Sequence, residues 1–433
     1  MELKEVNMKI ISVKNLSKTF KKPIREEGLK VLIEMNKKKI AVFFGGKSFE
    51  HDVSILTGLQ VMQVIDITKY EPIPVYVDID GNWWNGKALL NMKNYPLDEK
   101  VKATLNRITI PVGIINDSPK FTIMNRKLFG KKFIDFDIAF FAFHGSMGEN
   151  GPMQGIMEAL NIPYTGADIS SSTLYMSKLE TKAICRNLGI DVLDEVVLFK
   201  PNMTEKFNIS EMTKEIKIKY PAFVKPANLG SSVGIAKVKN KDELQSAILN
   251  VFKLDNTVII EPFVANLKEY NIAVMKGLDG KIITSVIESP VEKHEFLDFK
   301  DKYLASNGAK KVGPAKLAVP SEGLLSMGRE YAPKMTKKAK DFIENSVKKL
   351  FEYMGATGNP RIDFLCDSKT GKLWLNEVNP IPGAFAFYLW ERSEHKINYA
   401  KLVDIIIQNG FKNFDARQRN IDLKSSASVI FKK

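Results

Sequence analysis

"YPAFVKPANLGSSVGIAKV", Tyr220 to Val238, sets a single lysine in an apolar run and follows it at once with glycines and serines. Phe223 and Val224 before Lys225, and Ile235, Ala236 and Val238 after it, read as two short strands. Between them Gly230, Ser231, Ser232 and Gly234 give the chain access to φ > 0. They also expose backbone N–H groups and small hydroxyls, which suit a polyphosphate oxygen. The stretch reads either as a glycine-rich flap over a nucleotide or as an ordinary hairpin with a surface lysine.

Working outward, 433 residues with 44% hydrophobic and 26% charged composition specify a globular, soluble chain of two or three domains. Apolar runs such as "FDIAFFAF", Phe136 to Phe143, are too short to span a bilayer. The lysine-rich N-terminus lacks the apolar core of a signal peptide, so the cytoplasm is the expected location. Cys185 and Cys366 sit in unrelated contexts and read as core thiols. The net charge is +14, of which residues 1–39 carry +6 from eleven basic and five acidic side chains. No basic stripe interleaved with aromatics accompanies it, which points to a solvated surface and small-molecule partners rather than nucleic acid or membrane. A homodimer is left open.

Met8 to Lys30 resembles the opening strands of an ABC-transporter ATPase, but no GxxxxGK[ST] motif comes after it, and Met35 looks like a natural start. The first 34 residues therefore read as an appendage without ATPase function, the alternative being an extension packed on a domain edge. From Ile40 the pattern alternates strand and helix: "KIAVFFGG" a strand, "SILTGLQVMQVID" a helix, "YEPIPVYVDI" and "FDIAFFAFHG" further strands. That rhythm predicts an α/β region with a Rossmann-like parallel sheet, presenting the loops "FGGKSFEHDVS" and "FHGSMGENGPMQG" on one edge. The expected division is 1–37 appended, 38–174 α/β, 175–262 a smaller α+β unit carrying the glycine–serine loop, 263–412 a larger α+β unit, and 413–433 a tail.

Near the C-terminus "NPRIDFLCDSKTGKLWLNEVNPIPG" reads as two strands joined by the turn "DSKTGK". Period-two alternation puts Arg361 and Asp363 on one face of the first strand and Glu377 and Asn379 on one face of the second. Asp, Glu and Asn oxygens are the hard ligands that Mg²⁺ prefers when it bridges nucleotide phosphates. Arg361 beside them suits a carboxylate or a transferring phosphoryl group. The flanking Ile362, Phe364, Leu373 and Leu375 leave this polar face little alternative to lining a cleft.

These parts, in order, resemble the ATP-grasp superfamily and within it the D-alanine–D-alanine ligase family. The resemblance covers Lys38 to Glu391 through "FGGKSFEHDVS", "HGSMGENGPMQG", "MSKLETK", "FVKPANLGSSVG", "IIEPFVANLKEYNIAV", "DKYL", "RIDF" and "NEVNPIPG". It implies a three-domain ATP-grasp fold in which the glycine–serine loop is a lid over ATP. It implies that Lys178, Lys225 and Lys302 contact ATP phosphates, with Ser232 in the lid beside them. By the same resemblance Glu261 and the next few residues hold the adenine edge and Glu269 the ribose. Asp363, Glu377 and Asn379 would bind two Mg²⁺ or Mn²⁺ ions. Glu50 would anchor the first amino group, Glu50, Ser231 and Tyr303 would close the site, and Arg361 with the Gly383 backbone would stabilise the tetrahedral intermediate and the second substrate's carboxylate. His51 and His144 border this site; His144 either bonds the first substrate or holds its loop.

The implied reaction is the joining of two D-amino acids, D-alanine to D-alanine, through an acyl phosphate, for peptidoglycan precursor synthesis. Both steps gather negative charge that Mg²⁺, the lysines and Arg361 neutralise, and a lid keeps water from the acyl phosphate. The chain departs from the family pattern after "NPIPG". There "AFAFYLWE" puts Tyr388 where the family has a serine for the second substrate's carboxylate. An acceptor other than D-alanine, such as D-lactate or D-serine, and a nucleotide-binding relative without turnover are the alternatives.

Overall fold

The computed structural model describes residues 37–111, 119–125, 130–201, 208–291 and 328–418. The ATPase-like stretch Met8 to Lys30, the suggested start at Met35, Lys302, Tyr303 and most of the expected tail lie outside the described residues. All the elements below belong to the compact unit Lys38–Lys433.

Strand β1, Lys38–Gly45, buries Ile40 to Phe44 completely and forms the spine of a seven-stranded sheet of order β6-β5-β4-β3-β2-β1-β7. β1 runs parallel to β2, Tyr70–Val77, and to β7, Ile138–Phe141, as the alternating pattern predicts. Beyond β2 the sheet continues antiparallel through β3 (Trp83–Asn85), β4 (Asn106–Thr109), β5 (Lys120–Ile123) and β6 (Phe133–Asp135). The turn after β2 explains the change. Asp78 accepts from the Asn82 backbone at 2.8 Å and from Trp84 Nε1 at 2.8 Å, and so short a connection reverses the chain instead of crossing over. Helix α1, His51–Val64, covers β1 closely; a Cβ at Gly58 would come within 2.5 Å of Phe44.

After α2 (Pro152–Ala159), α3 (Ile169–Met176) and α4 (Lys178–Asn187) comes a four-stranded sheet of order β10-β9-β11-β8. Its strands are β8 (Val196–Phe199), β9 (Ala222–Pro226), β10 (Ala236–Val238) and β11 (Thr257–Pro262). The two strands read around Lys225 pair antiparallel, Val224 opposite Ala236. Helix α5, Lys241–Val251, closes this core with Leu244, Ile248 and Val251.

A third sheet has the order β15-β14-β12-β16-β17, with β13 (Ile282–Thr284) beside β12. It comprises β12 (Leu267–Lys276), β14 (Glu288–Pro290), β15 (Arg329–Tyr331), β16 (Arg361–Asp367) and β17 (Lys372–Asn379). Helix α6, Lys337–Tyr353, packs on it through Ile343, Val347, Leu350 and Phe351, which recur at helical spacing. Thr336 caps its N-terminus by accepting from Ala339 N at 3.2 Å.

The chain then returns to the first sheet. Ile381 to Trp390 and the buried side of helix α7, Tyr399–Gln418, share a core with β1 and β7, and Tyr70 donates to Asp404 of α7 at 2.8 Å. Among the described residues no helix is long and apolar enough to cross a membrane.

Candidate active site

Strand register builds the floor of the candidate site. Glu288 on β14 pairs with Asn271 on β12, Asn271 with Asp363 on β16, and Asp363 with Glu377 on β17. Directly opposed residues share a face, so these four side chains form one polar row across four strands. Arg361 and Asn379 are paired in the neighbouring row, as the alternation of the hairpin predicts. A bulge after Asp363 takes Asn376 out of the ladder, and its side chain lies 3.4 Å from Lys225 Nζ.

Between the two rows, Arg361 donates to both oxygens of Asp363 at 2.7 Å, and Asn379 Nδ2 donates to the same carboxylate at 3.0 Å. The guanidinium is buried, yet Asp363 holds its charge firmly in place. Glu377 meets Lys178 Nζ at 3.1 Å, and that ammonium also donates to Leu229 O at 2.6 Å, at the start of the glycine–serine loop. Each carboxylate proposed for metal thus has a cation beside it. Among the described residues no group of three or more His, Cys, Asp and Glu side chains gathers as a metal cage. Two carboxylates and an amide oxygen still fit Mg²⁺ or Mn²⁺, because such ions complete their sphere with phosphate oxygens and water.

On the opposite wall, Lys225 on β9 pairs with Glu261 on β11 at 2.5 Å, and Lys182 of α4 pairs with the other Glu261 oxygen. Burial raises the Glu261 carboxyl, but the two ammonium groups outweigh it and bring the pKa down to about 2. Lys182 also donates to Leu193 O at 2.7 Å and to Glu195 at 3.2 Å. The Glu261 side chain is thus committed to lysines. Glu269 lies on β12 opposite Leu365, close enough to Lys225 to favour its charge.

The third wall comes from the first sheet. Glu50 precedes α1 without capping it, and its carboxylate bonds the Ser231 hydroxyl. Ser231 and Ser232 hold φ of +50° and +59°, the left-handed region in which side chains are strained, a common feature of ligand clamps. Gly145, at φ +74°, must be glycine: a Cβ there would come within 2.2 Å of Ser48 Oγ and 2.9 Å of Glu50. His51 turns away into the first sheet, with its ring nitrogens 2.6 Å from Gly46 O and 3.0 Å from Tyr76 Oη. His144 is buried with Nε2 2.7 Å from Thr57 Oγ1, and burial lowers its pKa to about 4. That placement favours holding the loop over bonding a substrate.

Gly383 lies in a turn pinned from two sides. Glu149 accepts from Ile381 N at 2.7 Å and from Gly145 N, while Asn359 donates to Phe385 O at 3.0 Å. Ala384, Phe385 and Ala386, the next three residues, all have φ near +50°. Tyr388 is 1% exposed and receives a hydrogen bond from Arg329 at 3.1 Å, beside Arg361.

The structure joins Glu50 to Ser231, Lys178 to Glu377 and the Leu229 carbonyl, Lys225 to Asn376, and Arg361 and Asn379 to Asp363, while Gly383 lies in the turn after β17 and Tyr388 bonds Arg329. Sequence reasoning missed Lys182, Glu149, Asn271, Glu288 and Arg329. Lys182 and Glu149 stand inside the motifs "MSKLETK" and "HGSMGENG", which could have marked them. Nothing local marks Glu288 and Arg329, which meet only through the β14–β15 pairing.

Three sheets, with Lys178 and Lys225 set against the acidic hairpin of the third, have the architecture of the ATP-grasp class of α/β proteins. The D-ala D-ala ligase N-terminus family matches residues 39–167 and the D-ala D-ala ligase C-terminus family matches residues 184–408. The chain belongs to the D-alanine–D-alanine ligase family. It is 34% identical over 380 residues to a D-alanine–D-alanine ligase of Thermosipho melanesiensis, covering 87% of this chain and 94% of that one. It is 35% identical over 382 residues to that of Thermosipho africanus, covering 88% and 95%. Among solved structures, VanG D-Ala:D-Ser ligase from Enterococcus faecalis superposes with a TM-score of 0.67 at 27% identity, covering 86% of this chain and 99% of that one.

Proposed function

We infer that the chain is an ATP-dependent carboxylate–amine ligase that joins two D-amino acids, D-alanine to D-alanine, in the cytoplasm for peptidoglycan synthesis. The observation that carries this reading is the Lys178 ammonium held between Glu377 of the acidic hairpin and the Leu229 carbonyl at the start of the glycine–serine loop. We assign Lys178, Lys225 and the Ser231–Ser232 loop to the ATP phosphates and Glu269 to the ribose. Asp363, Glu377 and Asn379 would hold Mg²⁺ or Mn²⁺, which supplies charge neutralisation to the phosphates when bound.

The carboxylate of the first amino acid attacks the γ-phosphorus of ATP; ADP leaves and an acyl phosphate forms. The amine of the second attacks the acyl carbon, loses a proton, and expels phosphate. Glu50 positions the first ammonium, with Ser231 tying it to the lid. Arg361, which bonds Asp363 in this structure, and the Gly383 N–H would stabilise the oxyanion, and Asp363 would be among the residues that hold a cation. Closure of the 230–234 loop excludes water from the acyl phosphate. Lys302 and Tyr303 would join the phosphate set and the Glu50–Ser231 set.

A second reading, with D-serine as acceptor, is favoured by the Tyr388 hydroxyl in place of a small serine and by the likeness to a D-Ala:D-Ser ligase. Phosphate release across a panel of D- and L-amino and hydroxy acids, with mass spectrometry of the product, decides between them. Release that responds to no amino acid would point instead to a nucleotide-binding relative without turnover.

A further inference from the structure

The polar row of the third sheet continues past the proposed metal ligands to a buried set that the ligase reaction leaves without a role. Glu288 is fully buried, and its two oxygens each lie 2.7 Å from Arg329 Nη1; Asn271 Nδ2 adds a bond at 3.1 Å. The same Arg329 nitrogen lies 3.1 Å from Tyr388 Oη, and the guanidinium carbon sits 4.4 Å from the centre of the Tyr388 ring. A guanidinium can only donate, so in the Arg329 contact the phenol oxygen is the acceptor and its own proton remains to be placed. Among the described residues that proton has no acceptor, although the side chain is 1% exposed. A buried donor left unsatisfied is costly, and a ligand that brings an acceptor to it relieves that cost.

The charges around the phenol say what that ligand is. Glu288 is saturated by Arg329 and Asn271, and Asp363 by Arg361 and Asn379, so neither carboxylate is offered to it. Two arginines flank it. An incoming carboxylate is the acceptor that the phenol lacks, in surroundings that the two guanidinium groups make favourable to an anion.

We propose that Arg329, anchored by Glu288, is a positioning residue that turns the Tyr388 hydroxyl proton toward the carboxylate of the second amino acid. The proposal rests on the ligase reading and on Tyr388 lying at the acceptor end. It adds that the acceptor is recognised by a phenol donor whose direction is set from behind, by an arginine that does not touch substrate.

The test is acceptor kinetics on the full chain, with D-alanine and with D-alaninamide, which lacks the carboxylate. Tyr388→Phe leaves the Arg329–Glu288 pair intact. It should raise KM for the second D-alanine about 10-fold or more, leave KM for ATP within about twofold, and shrink the preference for D-alanine over D-alaninamide by the same factor. Arg329→Met with Glu288→Gln, which avoids a lone buried charge, should do the same, and adding Tyr388→Phe should make it no worse. Losses that add, or a lower Tm with kinetic constants and acceptor preference unchanged, would overturn the proposal. Wild-type chain that forms no ADP in response to any D-amino acid would overturn the ligase reading and this inference with it. Normal turnover with an unaltered Tyr388→Phe variant overturns the inference alone.

Discussion

The ammonium of Lys178 stands 3.1 Å from Glu377 Oε2 and 2.6 Å from the carbonyl of Leu229, so one side chain touches both the acidic hairpin and the glycine–serine loop. A cation bound at Glu377 would compete for the same carboxylate and push Lys178 toward the phosphates. On the proposed assignment of this site, metal, nucleotide and lid would be coupled through this contact.

Glu377→Gln should therefore lower D-alanine-dependent ADP formation about 100-fold or more, because it removes a charged ligand while keeping the shape. The side chain is partly exposed, so thermal unfolding should shift by no more than a few degrees. Full turnover at ordinary Mg²⁺ would remove the metal assignment.

Lys225 and Lys182 share Glu261 but should respond differently. Lys225→Met leaves Glu261 paired with Lys182, so the protein should fold, and KM for ATP should rise about 10- to 100-fold. Lys182→Met removes the ammonium buried between Glu261 and Glu195, each of which keeps one other cation, Lys225 and Arg186, and should cost about 1–3 kcal/mol of stability. Denaturant titration beside ATP kinetics separates the two. Equal loss of stability in both variants would mean that Lys225 is structural.

His144 is held neutral in the fold, its pKa lowered by burial to about 4 from an ordinary value near 6.5. In this window the unfolded chain binds the extra proton. The contribution is complete above about pH 6.5 and is lost as the pH falls toward 4, on the order of 3 kcal/mol in all. His144→Gln should flatten the stability–pH curve between those values. A curve of unchanged slope would show that the imidazole is protonated in the fold.

Removing residues 1–34 should leave kcat and both KM values unchanged, since every residue placed at the site lies beyond them. A truncated protein that folds, by circular dichroism, and yet has lost turnover would assign those residues a part in catalysis.

The sequence by itself determined whatever depends on short-range pattern. Period-two alternation placed Arg361 with Asp363 and Glu377 with Asn379. Apolar runs broken by glycine marked β1, β7 and the hairpin around Lys225, and loop composition marked the 230–234 segment. Ordered motifs then pointed to the family. Only tertiary structure decided what occupies those groups. Arg361 closes on Asp363, Glu261 is consumed by Lys225 and Lys182, and the antiparallel extension of the first sheet results from the Asp78 turn. It alone revealed that α7 returns to the first core and that Glu288, Arg329 and Tyr388 form one buried set. The reason is physical: local pattern fixes which face a side chain takes, whereas the partner of a buried charge is set by strand register and by segments far away in sequence that must satisfy it once water is excluded.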